Sequence, residues 1–173
     1  MKNIFSSEAL DGEIVLVTGA SRGIGASIAQ VFVNSGASVI GTATNQDRAD
    51  AIGESLGEKG RGIVLNVSDN ESIQSCIKNI QKTEGNPTIL INNAGITKDN
   101  LLLRMKQPEW DDVLATNLTG LFNVSKACLR GMMKAKKGRI INIASVVAVM
   151  GNAGQLNYAA SKAGMIGFSK SLA

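Results

Sequence analysis

The sequence predicts an α/β protein built on a doubly wound parallel sheet. Three observations carry this expectation. Short apolar runs of four or five residues recur with little in/out alternation, as parallel strands buried on both faces require. Segments with apolar residues at helical spacing lie between them. A glycine-rich turn, Thr18-Gly19-Ala20-Ser21-Arg22-Gly23-Ile24-Gly25, joins the first run to the first helical segment. Strand–helix alternation of this kind implies right-handed crossovers, with helices on both faces of the sheet.

The first strand is expected over residues 14–18. The first helix follows over 23–35, where Ile24, Ile28, Val31 and Phe32 share a helical stripe. Residues 38–42 and 62–66 read as the second and third strands. A helix over 69–84 has Asp69 at its N-cap and Ile73, Ile77 and Ile80 along one face. The fourth strand is expected at 88–91. Pro108 suits the first turn of a long helix reaching about Lys136. That helix carries Val113, Leu114, Leu118, Leu121, Phe122, Val124, Leu129 and Met132 on more than one face, so it should be buried on several sides. Residues 139–143 form the fifth strand, and a last helix begins near Asn157. Residues 1–173 read as a single domain. The chain stops at Ala173 inside a helical pattern, and a six-stranded sheet needs roughly 30 further residues. The domain therefore reads as incomplete at its C-terminus, with its later strands absent.

Composition narrows the classes of function. Aromatic residues make up only 3%, the net charge is +4, and arginines are not interleaved with aromatics, which argues against nucleic-acid binding. No apolar run approaches a membrane span, and residues 1–8 lack the apolar stretch of a signal peptide, so a cytoplasmic location is expected. The absence of histidine excludes His-based triads and His metal clusters. Cys76 and Cys128 have no metal-ligand spacing and read as reduced residues, so no metal site is expected.

Tyr158 is the only tyrosine, and Lys162 follows it by four residues. On a helix these positions lie on one face, so the ammonium can approach the phenol. A neighbouring cation stabilises the phenolate, which lets the phenol act as an acid or a base near neutral pH. Such a pair also arises by chance on surface helices. The glycine-rich turn is more specific: at a strand-to-helix junction its backbone N–H groups and the helix dipole favour a pyrophosphate.

The series Thr18-Gly19-x3-Gly23-x-Gly25, Asn92-Asn93-Ala94-Gly95, Ser145 and Tyr158-x3-Lys162 resembles the short-chain dehydrogenase/reductase family in order and spacing, from about residue 12 onward. The segments 95–102 and 150–158 are similar to the bacterial branch that reduces 3-oxoacyl groups on acyl carrier protein. The resemblance implies a Rossmann-type sheet in the order 3-2-1-4-5. It implies a nicotinamide cofactor held by Gly19, Ser21, Arg22, Gly23, Ile24, Gly25, Thr44, Asn66, Val67, Asn93, Ala94 and Gly95, with Tyr158 and Lys162. The segment after the second strand has no carboxylate until Asp47, and Arg22 can approach a 2′-phosphate, so NADPH is the expected cofactor. Asn92 has a structural reading.

By the same resemblance, Ser145 binds the substrate and polarises its carbonyl, Tyr158 gives the proton, Lys162 supports it, and Asn117 holds a relaying water. A satisfied core amide is the lesser alternative for Asn117. The cluster Arg130, Lys134, Lys136, Lys137 and Arg139 is either a solvated helix end or a docking surface for acidic acyl carrier protein. Full-length relatives are implied to be tetramers; a dimer is as well supported for this chain. Two alternatives stay open: a reductase acting on another ketone or a sugar, and a non-catalytic cofactor-binding fragment.

Overall fold

A computed structural model describes residues 6–173; residues 1–5 of the stretch inspected for a signal sequence lie outside the described residues. Five parallel strands, β1 (Ile14–Val17), β2 (Ser38–Ala43), β3 (Gly60–Val64), β4 (Ile89–Asn92) and β5 (Arg139–Asn142), form one sheet in the order β3-β2-β1-β4-β5. The helices are α1 (Gly23–Asn34), α2 (Gln46–Leu56), α3 (Asn70–Thr83), α4 (Gln107–Leu114), α5 (Gly120–Ala135), α6 (Val147–Met150) and α7 (Leu156–Leu172). Leu16 of β1 sits opposite Ile40 on one side and Leu90 on the other. The chain winds outward in both directions from β1 and β4. Their C-terminal ends therefore frame the crevice where ligands bind in sheets of this topology.

Alternation along the strands builds two cores. Leu16, Ile40 and Leu90 pack with Ile73, Ile77 and Ile80 of α3 and Val124, Cys128 and Met132 of α5. Val15, Val17, Val39 and Ile91 pack with Ala29 of α1 and Ile52 and Leu56 of α2. Burial pushes the Cys76 thiol up to about 11 and Cys128 up to about 12, so both remain thiols inside the first core. A partly buried polar chain runs from β4 outward. Asn92 Nδ2 donates to Ser125 Oγ (3.0 Å) and to Asn142 Oδ1 (2.8 Å), and Asn142 Nδ2 donates to Ser169 Oγ (2.8 Å), which joins β4, α5, β5 and α7.

The fold departs from the sequence expectation in several places, among them α6, which the sequence analysis does not foresee. α2 has no predicted counterpart, because its contact stripe is Ala49, Ile52 and Leu56 in an otherwise polar segment. β3 runs from Gly60 to Val64, two residues earlier at each end than expected, paired with β2 from Val39↔Gly60 to Ala43↔Val64, and α2 lies so close that a Cβ on Gly62 would sit 1.7 Å from the Ala49 carbonyl oxygen. The long helix is interrupted by a wide π-type turn at Ala115–Thr119. Of its apolar residues, Val113, Leu121, Val124 and Met132 are buried, Leu114, Leu118 and Leu129 half-buried, and Phe122 exposed.

Arg61 of β3 clasps Glu84 just beyond α3, with Nη2 donating to Oε2 at 3.0 Å and Nε to Oε1. Burial alone would raise the Glu84 pKa, but hydrogen bonds from Arg61 and Thr83 outweigh it and hold the carboxyl below its ordinary value. A carboxyl whose folded pKa is lowered stabilises the fold above its unfolded value and loses that contribution as pH falls through the folded one. Glu84→Gln should therefore lower stability by about 0.5–1 kcal/mol at neutral pH and by almost nothing near ~pH 3. Urea midpoints at both pH values measure this; a deficit independent of pH would contradict it.

Candidate active site

The turn after β1 is shaped by what it is fastened to. Thr18 is buried, and its Oγ1 accepts the backbone N–H groups of Asn93 and Ala94 (3.0 Å each) while donating to the Ile91 carbonyl (3.3 Å). Asn93 answers from the other side, its Nδ2 donating to the carbonyls of Thr18 (3.0 Å) and Gly19 (2.9 Å). Thr42 of β2 takes the Gly19 N–H on its Oγ1 (3.2 Å). The turns after β1 and β4 are thus cross-linked and tied to β2. Gly19 has φ 67°, in the left-handed region glycine favours. A Cβ on Gly25 would lie 2.2 Å from the Gly19 oxygen and 2.5 Å from Asn93 Nδ2, so only glycine lets α1 start this close. No side chain caps α1, which leaves its N-terminal N–H groups free for an anion.

Above this turn opens a cavity of about 470 Å³. It is lined by Gly19, Ser21, Arg22, Gly23, Ile24, Gly25, Thr44, Asn66, Val67, Asn93, Ala94 and Gly95, every residue expected to hold the cofactor's phosphates and adenosine. It is also lined by Arg48 and Thr116, which belong to no motif and were not singled out from sequence. Gly120 lets α5 start close to Val67, since a Cβ there would lie 2.7 Å from the Val67 oxygen. Open N–H groups at a helix start, glycines that clear the approach, and two arginines at the rim fit a dinucleotide.

The candidate proton-transfer group lies beside this cavity. Lys162 on α7 is buried; its Nζ donates to the Ile143 carbonyl (2.7 Å) and stands 5.7 Å from the Tyr158 ring centroid. Burial lowers the Lys162 pKa from its ordinary value. A Cβ on Gly95 would lie 3.2 Å from Asn117 Oδ1 and 3.8 Å from Lys162 Nζ, so these three residues converge. Asn117 lies in the wide turn, fully buried. Its Oδ1 accepts from Ile96 N–H (2.8 Å), and its Nδ2 donates to the Ile96 carbonyl (3.0 Å) and Ser161 Oγ (3.2 Å). The side chain is therefore a satisfied core amide. Ser145 lies two residues past Ile143, its Oγ accepting from Val147 N–H (3.3 Å).

Asn157 was not anticipated as an anchor. It is buried, and its Nδ2 donates to the carbonyls of Lys98 and Glu109 (2.9 Å each), which pins the start of α7 to the loop after β4 and to α4. Leu101, Leu102 and Leu103 on that loop and Val146, Val149 and Met150 after β5 form exposed apolar surface.

Arg130, Lys134, Lys136, Lys137 and Arg139 of the basic cluster are all exposed where α5 leads into β5. Lys137 Nζ pairs with Glu13 (2.6 Å), and Arg139 opens β5, donating from its guanidinium to the Gly138 carbonyl. Both lie where a parallel strand begins, the end opposite the ligand crevice. A second cavity, of about 600 Å³, opens there between α5, β5 and α7, beside Lys136, Lys137 and Arg139, and contains none of the expected catalytic or cofactor residues.

A family model described as short chain dehydrogenase matches residues 13–173. The 3-oxoacyl-[acyl-carrier-protein] reductase of Vibrio harveyi is 62% identical over 164 residues, which is 95% of this chain and 67% of that protein. Proteins of the same name from Escherichia coli and Pseudomonas aeruginosa are 58% and 57% identical, over 94% and 95% of this chain and 67% and 68% of theirs. The chain spans about two thirds of the length of these relatives.

Proposed function

The chain belongs to the short-chain dehydrogenase family, and on that premise we propose that it reduces 3-oxoacyl groups carried on acyl carrier protein to 3-hydroxyacyl groups, with NADPH as reductant, in cytoplasmic fatty acid biosynthesis. The observation that carries the chemistry is Lys162, buried beside Tyr158 at the edge of a glycine-cradled dinucleotide cavity. Identity to three reductases of that name supports the substrate. The apolar surface of Leu101, Leu102, Leu103, Val149 and Met150 suits an acyl chain and does not favour a sugar. Among the described residues, no helix is long and apolar enough to cross a membrane.

NADPH, when bound, supplies the hydride. As negative charge builds on the ketone oxygen, the Ser145 hydroxyl donates to it and lowers the barrier. Tyr158 gives that oxygen its proton. Lys162 holds positive charge beside the phenol, and its lowered pKa makes it a ready donor when Tyr158 is reprotonated. The Asn117 amide is already committed to Ile96 and Ser161, so a relaying water falls to its backbone carbonyl, inside a turn where the helical ladder is widened. Thr44 and Arg22 at the cavity rim, with no carboxylate between Gly41 and Gln46, support NADPH over NADH.

Docking of an acidic carrier protein is proposed at Arg130 and Lys134, exposed one turn apart on α5, rather than at Lys137, which Glu13 occupies. A homo-oligomer through α5 and α7 is also proposed, supported by Phe122, 45% exposed beneath Lys126 Nζ at 5.5 Å, and by the half-exposed Leu156. Light scattering over a concentration series should find dimers or larger; a monomer throughout would contradict this.

Tyr158→Phe removes the transferable proton and leaves the ring. Turnover with a 3-oxoacyl thioester should fall roughly 100-fold or more while NADPH affinity is retained. Loss of reduced-nicotinamide absorbance measures the first and calorimetry the second. Turnover near that of the unaltered protein would refute the proton-donor role.

A further inference from the structure

The cavity is bounded near the end of β2 by Thr44 and by the start of α2. Arg48 lies in the first turn of α2, is exposed, and lines the same cavity as Arg22, Thr44 and Asn66. Folding of α2 does not call for a cation there. The helix meets the sheet through Ala49, Ile52 and Leu56, and a positive charge in its first turn opposes the dipole. Its geometry is nevertheless defined. Asn45 Oδ1 accepts the Arg48 N–H at 3.0 Å, which sets the first turn. Side chains on a helix lean back towards its N-terminus, so the Arg48 stem runs back over that turn towards Thr44.

The surrounding acids leave Arg48 alone. Asp50 accepts from Gln46 Nε2 (2.7 Å), and Asp47, adjacent in sequence, leaves the helix from a different face. Among the described residues no ion pair includes Arg22 or Arg48. Two guanidiniums from different helices and the positive end of α2 thus border one cavity. Like charges so placed repel unless an anion lies between them, and a phosphate dianion can accept from two planar forks at once.

We propose that Arg48 is a second reader of the NADPH 2′-phosphate, acting with Arg22, which lines the same cavity. This rests on the NADPH reading above and deepens it, because selectivity is then divided between two helices. NADH, with a hydroxyl at that position, offers Arg48 no charged partner.

Calorimetric titration with NADPH, NADH, 2′,5′-ADP and 5′-AMP tests it on the unaltered protein and on Arg22→Ala, Arg48→Ala, Arg48→Lys and the double alanine variant. Arg48→Ala should weaken NADPH and 2′,5′-ADP by about five- to tenfold while changing NADH and 5′-AMP by less than about twofold. Arg48→Lys should recover part of the loss, since it restores charge without the fork. If Arg48→Ala binds NADPH as the unaltered protein does while Arg22→Ala loses affinity, the role of Arg48 is overturned and the NADPH reading stands. If the unaltered protein binds NADH as tightly as NADPH, the cofactor reading fails and this inference fails with it.

Discussion

The hydroxyl of Thr18 joins the two halves of the sheet at the point where a ligand must sit. It accepts two backbone N–H groups from the turn after β4 and donates to the Ile91 carbonyl of that strand, while Asn93 returns two bonds to the turn after β1. Parallel strands that diverge from a switch point leave backbone groups unpaired at their C-terminal ends, and unpaired buried groups are costly. Here each turn satisfies the other. The glycines then become necessary: Gly19 accepts a left-handed φ, and Gly25 leaves room for the Asn93 amide.

The elements that carry the candidate catalytic residues hang from the same frame. α7 is held at its start by Asn157, in its middle by Lys162 on the Ile143 carbonyl, and near its end by Ser169 on Asn142. Tyr158 is therefore carried on a helix fixed at three points against β5, α4 and the loop after β4. A buried lysine without a carboxylate partner is a stability cost, and burial lowers its pKa accordingly. Its one bond to a strand-end carbonyl places that cost beside the only tyrosine.

The strands were legible because runs such as Ile14–Val17 are apolar on both faces, and the glycine turn because its spacing answers a backbone constraint. α2 was not, because its apolar stripe is only Ala49, Ile52 and Leu56 in an otherwise polar segment, and the close approach of Ala49 to Gly62 is a tertiary contact. The interruption at Ala115–Thr119 had one trace, a buried asparagine within an apolar helix, but nothing in the sequence distinguishes a wide turn from a regular one. The role of Lys137 depended on Glu13, distant in sequence and brought near only by the pairing of β1, β4 and β5. The residues expected to hold the phosphates and adenosine line the cavity, whereas Thr18, Asn92, Ser145, Tyr158 and Lys162 lie outside its lining; Arg48 lines it without a motif.

If the Thr18 clamp organises the cofactor cavity, its hydroxyl matters more than its shape. The most direct measurement is NADPH affinity of Thr18→Val and Thr18→Ser against the unaltered protein, with circular dichroism to confirm the fold. Valine keeps the volume and leaves the Asn93 and Ala94 N–H groups without an acceptor, so affinity should fall by about tenfold or more, while serine should stay within a few-fold of the original. A folded Thr18→Val protein that binds NADPH as tightly as the unaltered one would contradict the clamp's central place.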